Sequence, residues 1–151
     1  MKLAIACDHG AFELKEALKE ACQQWGHEVE DFGSYDTSAV DYPDTVYPAC
    51  VSVRDGKNDL GIVMCGSGIG ASIVANKTRG IRCALVNNSI ELAKITRLHN
   101  DANVLAMGGR FNTIEEGLAI AKAFLDTPFS GEERHLCRIQ KISTIEIEED
   151  R

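Results

Sequence analysis

Leu60-Gly61-Ile62-Val63-Met64 runs directly into Cys65-Gly66-Ser67-Gly68-Ile69-Gly70 and then into Ala71 to Lys77, a helix-compatible segment. The apolar run reads as a buried strand, and the alternate glycines behind it read as the tight turn that hands a strand over to a helix. In such a turn backbone N–H groups can converge on an anion, and the field of the following helix attracts it. Cys65 stands at the head of the turn, inside that field. Taken alone, the stretch fits equally well a buried thiol plug whose glycines merely pack strand against helix.

Working outward, Lys2 to Cys7 is a second apolar strand, ending at Asp8-His9-Gly10. Ala11, Leu14, Leu18, Ala21 or Cys22 and Trp25 then recur at helical spacing, with Gly26 as the stop. His27 to Phe32 alternates like an edge strand, and Gly33 to Asp36 turns out of it. Past a loop with Asp41-Tyr42-Pro43, a helix is expected from near Pro43 to Arg54, with Pro48 leaving its start open. Beyond the central turn, Ile81 to Val86 reads as a buried strand, and Asn88 with Glu91 reads as the cap of a helix ending at His99-Asn100-Asp101. Asn103 to Met107 is a fifth strand, closed by Gly108-Gly109-Arg110. Thr113 and Glu116 form a capping box for the next helix. In the last segment, Glu132 to Glu149, Leu136, Ile139, Ile142 and Ile145 give a helical stripe, and the acidic end is expected to fray.

Five apolar strands alternating with helices describe a doubly wound α/β sheet, and 151 residues make one domain. Ligands of such sheets bind at the carboxyl ends of the strands. Three of those ends carry capable residues: Asp8-His9, Cys65 to Gly70 and Gly108-Gly109-Arg110. The flanking loops are expected to add Tyr42 and His99-Asn100. A net charge of −7 argues against general nucleic-acid binding, and no apolar run approaches the length of a bilayer span. Six cysteines without CxxC spacing, behind an opening Met1-Lys2-Leu3 that lacks a leader-like stretch, lead us to expect reduced thiols in a cytoplasmic protein without structural zinc.

Spacing removes several familiar roles for the glycine turn. Nucleotide-hydrolase loops require Gly-Lys-Ser/Thr, whereas Gly70 precedes Ala71-Ser72. A dinucleotide fingerprint belongs after the first strand, a Cys-x5-Arg phosphatase needs arginine where Ala71 stands, and a phosphoacceptor receiver needs aspartate in place of Cys65. His9 and His99, taken with the thiol, are candidates for chemistry, whereas His27 reads as structural. Asp8 fits a helix cap or a partner for substrate hydroxyls, and Tyr42 a wall of the crevice. Arg134 and Arg138 project from one helix face with His135 beside them, which suits a phosphate dianion, or else an exposed face paired to Glu132 and Glu133.

Ala6-Cys7-Asp8-His9-Gly10, Asp41-Tyr42-Pro43, Cys65 to Gly70 with Ala75-Asn76-Lys77, His99 to Leu105, and Arg134-His135 with Arg138 together resemble the ribose-5-phosphate isomerase B family, which includes galactose-6-phosphate isomerase subunits. The resemblance spans the chain and implies a Rossmann-like three-layer αβα sandwich with a five-stranded parallel sheet. It further implies a sugar-phosphate substrate, no metal or cofactor, and a homodimer or dimer of dimers with shared sites, the segment from about 130 to 151 lying at the interface. By the same resemblance, Cys65 moves a proton between C2 and C1 through an enediolate, the amides around Gly66, Ser67, Gly68 and Gly70 hold the oxyanion, and His99 opens the furanose ring. Asp8 and Asn100 would hold sugar oxygens near Tyr42; His9, Arg110, Arg134 and Arg138 would bind phosphate, the last two across the dimer. One family branch uses a glutamate on the following helix. Ala71 occupies that position here, so the chain resembles the cysteine type, with Ser67 where threonine is frequent. Ribose 5-phosphate is the expected substrate; allose 6-phosphate, galactose 6-phosphate, a tetrose phosphate and a non-catalytic sugar-phosphate binder are the alternatives.

Overall fold

Alternation along the strands sets the layers. In the computed structural model, which describes residues 1–150, parallel strands β1 (Lys2–Cys7), β2 (Glu28–Asp31), β3 (Leu60–Cys65), β4 (Cys83–Leu85) and β5 (Val104–Gly108) form one sheet in the order β2-β1-β3-β5-β4. Leu3, Ile5, Ile62, Met64, Leu105 and Met107 point to one face, where α1 (Phe12–Gln24), α4 (Ile90–Asn100) and α5 (Ile114–Asp126) cover them. Ala4, Ala6, Val63, Cys65, Val104 and Ala106 point to the other, beneath α2 (Tyr42–Arg54) and α3 (Ile69–Lys77). This is the three-layer arrangement implied by the resemblance. Full burial of one large apolar side chain is worth about 2 kcal/mol, and Leu3, Ile5, Ile62, Met64, Leu105, Met107 and Phe124 are all fully buried, so the two cores dominate the fold. Among the described residues no helix is long and apolar enough to cross a membrane.

Local signals hold in most places. Thr113 and Glu116 form the expected capping box, and β2 is an edge strand. Three local expectations need correction. The cap of α4 is Ser89, whose Oγ accepts the Leu92 N–H at 3.1 Å. Asn88 instead adopts left-handed backbone, and its N–H donates to Asn112 Oδ1 at 2.9 Å. The expected buried strand at Ile81 to Val86 shortens to β4, which is only partly covered because β5 inserts between it and β3. The acidic end of α6 (Glu133–Glu149) does not fray: Glu146 Oε1 accepts the Gly80 N–H at 2.9 Å, and Asp150 pairs with Arg79.

Among the described residues one charge is fully buried. Lys15 Nζ donates to both Asp31 oxygens, at 3.0 and 2.8 Å, and to the Ser34 carbonyl at 2.7 Å, which ties α1 to the turn after β2. Burial alone would raise the Asp31 carboxyl, but the bonds from Lys15 and the Gly33 N–H outweigh it and hold the group below its ordinary 3.8. Burial alone would lower the Lys15 ammonium, yet Asp31 and Glu16 hold it above its ordinary 10.5. A depressed carboxyl stabilises above its unfolded value and stops doing so as pH falls through the folded one; a raised ammonium stabilises below its unfolded value and stops doing so as pH rises through the folded one. The clamp is therefore at full strength between about pH 4 and pH 10. Lys15→Met leaves Asp31 only the half-exposed Lys19 and the Gly33 N–H, and is expected to cost about 3 kcal/mol in urea denaturation at pH 7, less as acid protonates Asp31. Lys19→Met, at the more exposed partner, should cost under about 1 kcal/mol, and equal losses would refute the clamp.

Candidate active site

The strand order places β1, β3 and β5 side by side at the centre of the sheet, so the three chemically loaded ends do converge. They meet backbone against backbone. A methyl group on Gly108 would lie 2.6 Å from the Ser67 carbonyl carbon, and one on Gly10 would lie 3.1 Å from Gly66 Cα. The Gly109 N–H donates to the Cys65 carbonyl and the Arg110 N–H to the Gly66 carbonyl, each at 2.9 Å. Those bonds lay the exposed Arg110 guanidinium over Gly66, with Nη1 3.1 Å from where a side chain there would begin. Tyr42, in the first turn of α2, packs its ring on Gly70 in the same way.

At the end of β1, Asp8 is nearly buried and its Oδ1 accepts the Gly10 N–H at 2.8 Å, so it is a cap that also borders the crevice. His9 is exposed, and its Nδ1 accepts the Val40 N–H at 3.2 Å. A backbone N–H can only donate, so this bond assigns the neutral ring proton to Nε2. Beside it opens a cavity of about 410 Å³ lined by His9, Val40, Asp41 and Thr45 among others.

Cys65 shares its sheet face with Val63, beneath α2 and α3. Its Sγ accepts the Gly68 N–H at 3.2 Å. Gly68 has φ +82°, a left-handed conformation, and a methyl group there would also lie 2.7 Å from the Met107 carbonyl carbon; only glycine closes this turn. Ser67 Oγ accepts the Ile69 N–H at 3.2 Å, so its hydroxyl proton is free to be donated. Burial pushes Cys7 and Cys83 up, Cys22 up to about 11 and Cys50 up to about 12, which makes them unsuitable as bases near neutral pH.

Four of the expected site residues are elsewhere in the chain. α4 begins at the carboxyl end of the sheet and runs antiparallel to the strands, so His99 and Asn100 come out about 15 Å along its axis, next to the start of β5. There the His99 ring lies 4.3 Å from the His135 ring, centroid to centroid, and the Asn100 carbonyl accepts from Arg82 Nε at 3.2 Å. Arg134 and Arg138 project from the first turns of α6, both exposed, with Arg134 Nε donating to Glu132 at 2.9 Å. In a single copy the expected site residues thus fall into two separate groups: Asp8, His9, Tyr42, Cys65 to Gly70 and Arg110 at one end, and His99, Asn100, Arg134 and Arg138 at the other. Sequence reasoning passed over Asn87 and Asn112, which join the turns after β3, β4 and β5. Their one available signal was the position of Asn87 just past a strand's carboxyl end.

A doubly wound sheet with a thiol in a glycine turn at its carboxyl edge and a cation beside it describes an enzyme for small anionic substrates. The chain belongs to the ribose/galactose isomerase family, whose model matches residues 3–142. It is 48% identical over 149 residues to YwlF of Bacillus subtilis, 97% of either chain, a protein whose name carries sugar phosphate isomerase only as a provisional assignment. It is 40% identical over 148 residues to ribose-5-phosphate isomerase B of Mycobacterium tuberculosis, covering 97% of this chain and 90% of that one. Among solved structures, ribose-5-phosphate isomerase B of Clostridium thermocellum superposes with a TM-score of 0.94 at 42% identity, over 98% of this chain and 99% of that one. This protein is accordingly a sugar-phosphate isomerase.

The backbone contacts make a steric prediction. Gly108→Ala should displace the Ser67 turn and lower isomerase turnover about 100-fold while the circular dichroism spectrum stays native. Gly26→Ala, at φ +91° but with nothing nearby, should cost about 1 kcal/mol and leave turnover unchanged.

Proposed function

We propose that the protein interconverts ribose 5-phosphate and ribulose 5-phosphate through ring opening and an enediolate. The observation that carries this reading is the Cys65 sulfur held against a backbone amide within a turn of further amides. Aldose-ketose isomerisation needs a base that removes the C2 proton and returns it to C1, together with donors for the oxyanion that forms between these events. As thiolate, Cys65 takes the proton; the electron pair of the C2–H bond becomes the enediolate, which the amides of Gly66, Ser67, Gly68 and Gly70 receive. The Ser67 hydroxyl exchanges the proton between O1 and O2, and the Cys65 thiol then protonates C1. Asp8 holds a sugar hydroxyl, Tyr42 walls the crevice, and His9 Nε2 with Arg110 takes the phosphate, whose binding energy positions the sugar.

The remaining groups come from a second copy. Leu136, Ile142 and Ile145 on α6, and Ile69 and Ile73 on α3, are between 42% and 58% exposed, an apolar surface that a homodimer would cover. In this arrangement His99 of the partner subunit opens the furanose ring, Asn100 of the partner subunit holds a sugar oxygen, and the partner subunit's Arg134 and Arg138 close on the phosphate. His135 supports the ring-opening group: its Nδ1–H donates to the His99 carbonyl at 3.3 Å, and desolvation holds its imidazole below the ordinary 6.5, hence neutral beside His99. The reading extends the sequence expectation, which took only the two arginines across the dimer.

Cys65→Ala should abolish exchange of the C2 proton with solvent while leaving ribose 5-phosphate affinity within about threefold, since the phosphate anchors are untouched; undiminished exchange would exclude Cys65 as the base. Sharing between subunits has a separate test. Mixing inactive Cys65→Ala with inactive His99→Asn and allowing subunits to exchange should restore roughly a quarter of wild-type turnover, because half the dimers are hybrids and each hybrid regains one intact site. No recovery in demonstrated hybrids would place both residues in one subunit's site. Ranking kcat/KM for ribose 5-phosphate against allose 6-phosphate, galactose 6-phosphate and four-carbon phosphates tests the substrate, and a higher value for any of the others would overturn ribose 5-phosphate.

A further inference from the structure

The loop after β4 touches the catalytic turn through one side chain. Asn87 Nδ2 donates to the Ser67 carbonyl at 3.0 Å, and the Gly68 N–H donates to Cys65 Sγ at 3.2 Å. These are the two ends of one peptide unit. Because the amide is planar, anchoring its oxygen fixes the direction in which its N–H points, and a bond accepted at the oxygen also polarises the N–H.

The orientation of Asn87 is itself determined. Its Oδ1 accepts the Gly108 N–H and Asn112 Nδ2, each at 2.8 Å. A backbone N–H can only donate, so the oxygen must face Gly108, and the amide nitrogen is left for Ser67. Asn112 is fixed in turn, since its Oδ1 accepts the Asn88 N–H at 2.9 Å while Nδ2 also donates to the Gly108 carbonyl at 2.8 Å. The chain of amides therefore has one direction from end to end, and it terminates on the thiol.

We propose that Asn87 is a positioning residue that sets the reactivity of Cys65 through the Ser67–Gly68 peptide. Its side-chain hydrogen bonds go to Ser67, Gly108 and Asn112, and none goes to the sulfur. Its consequence for turnover rests on Cys65 acting as the base; its effect on the sulfur does not. When Asn87 is lost, the Gly68 N–H loosens and the sulfur loses a donor suited to its anionic form.

The test compares Asn87→Ala and Asn87→Asp with Asn112→Ala. Asn87→Asp keeps the shape and the acceptor for Gly108 and Asn112 but removes the donor to Ser67; Asn112→Ala removes a buttress and leaves that donor in place. Alkylation by iodoacetamide at pH 7 is followed on the Cys65-containing peptide by mass spectrometry, so that the exposed Cys137 does not interfere. Removing one oxyanion-hole donor outright costs about 100-fold or more, and loosening one should cost about tenfold. Both Asn87 variants should thus slow Cys65 alkylation and lower kcat about tenfold with KM within twofold, while Asn112→Ala changes either rate less than threefold. Alkylation at the wild-type rate in a folded Asn87 variant, or equal slowing in Asn112→Ala, would overturn the proposal. Slower alkylation with unchanged kcat would uphold the positioning and count against Cys65 as the base.

Discussion

Three turns share one small volume at the carboxyl ends of β1, β3 and β5, and they fit only because backbone meets backbone there. Gly108 lies on the Ser67 carbonyl, Gly10 on Gly66, and Gly68 takes a left-handed conformation against Met107. The consequence is chemical as well as steric. With side chains removed from the contact, peptide N–H groups become the surface of the crevice, and one of them ends on the Cys65 sulfur. The cations then arrive from outside the stack, as Arg110 does across Gly66.

The large cores are what hold this arrangement still. Each sheet face is closed by apolar side chains, and the fully buried Lys15 ties the turn after β2 to α1. That turn leads into the loop whose Val40 N–H fixes the ring of His9. The bond from this loop thus determines which nitrogen of His9 carries the ring proton. A crevice assembled from strand ends inherits the rigidity of the sheet, whereas the ring of His9 is held by a loop.

The direction of α4 explains why the expected site residues of one copy fall into two separate groups. A helix that leaves a strand's carboxyl end must return to the amino end before the next parallel strand can start, so a residue at its end is far from the crevice by construction. His99 and Asn100 lie there, and α6 brings His135, Arg134 and Arg138 to the same place. In the proposed homodimer, a single second subunit would cover the exposed isoleucines of α3 and α6 and also bring the distant group of residues to the crevice.

Much was legible in the sequence because its signals are local. Period-two and helical spacing located the strands and helices, Thr113 with Glu116 located a cap, and the glycine turn after Met64 located the crevice. Where reading failed, the missing information was non-local. The composition of Ile81 to Val86 suits a central strand, and only the insertion of β5 makes β4 an edge. Asn87 looks like any polar loop residue until the strand order sets it between Ser67 and Gly108. The sequence by itself determined a doubly wound sheet with a thiol among backbone amides, since backbone geometry and side-chain periodicity are encoded residue by residue. Which groups face that thiol within one subunit was decided by the tertiary structure alone, because strand order and helix direction set distances that no spacing along the chain records.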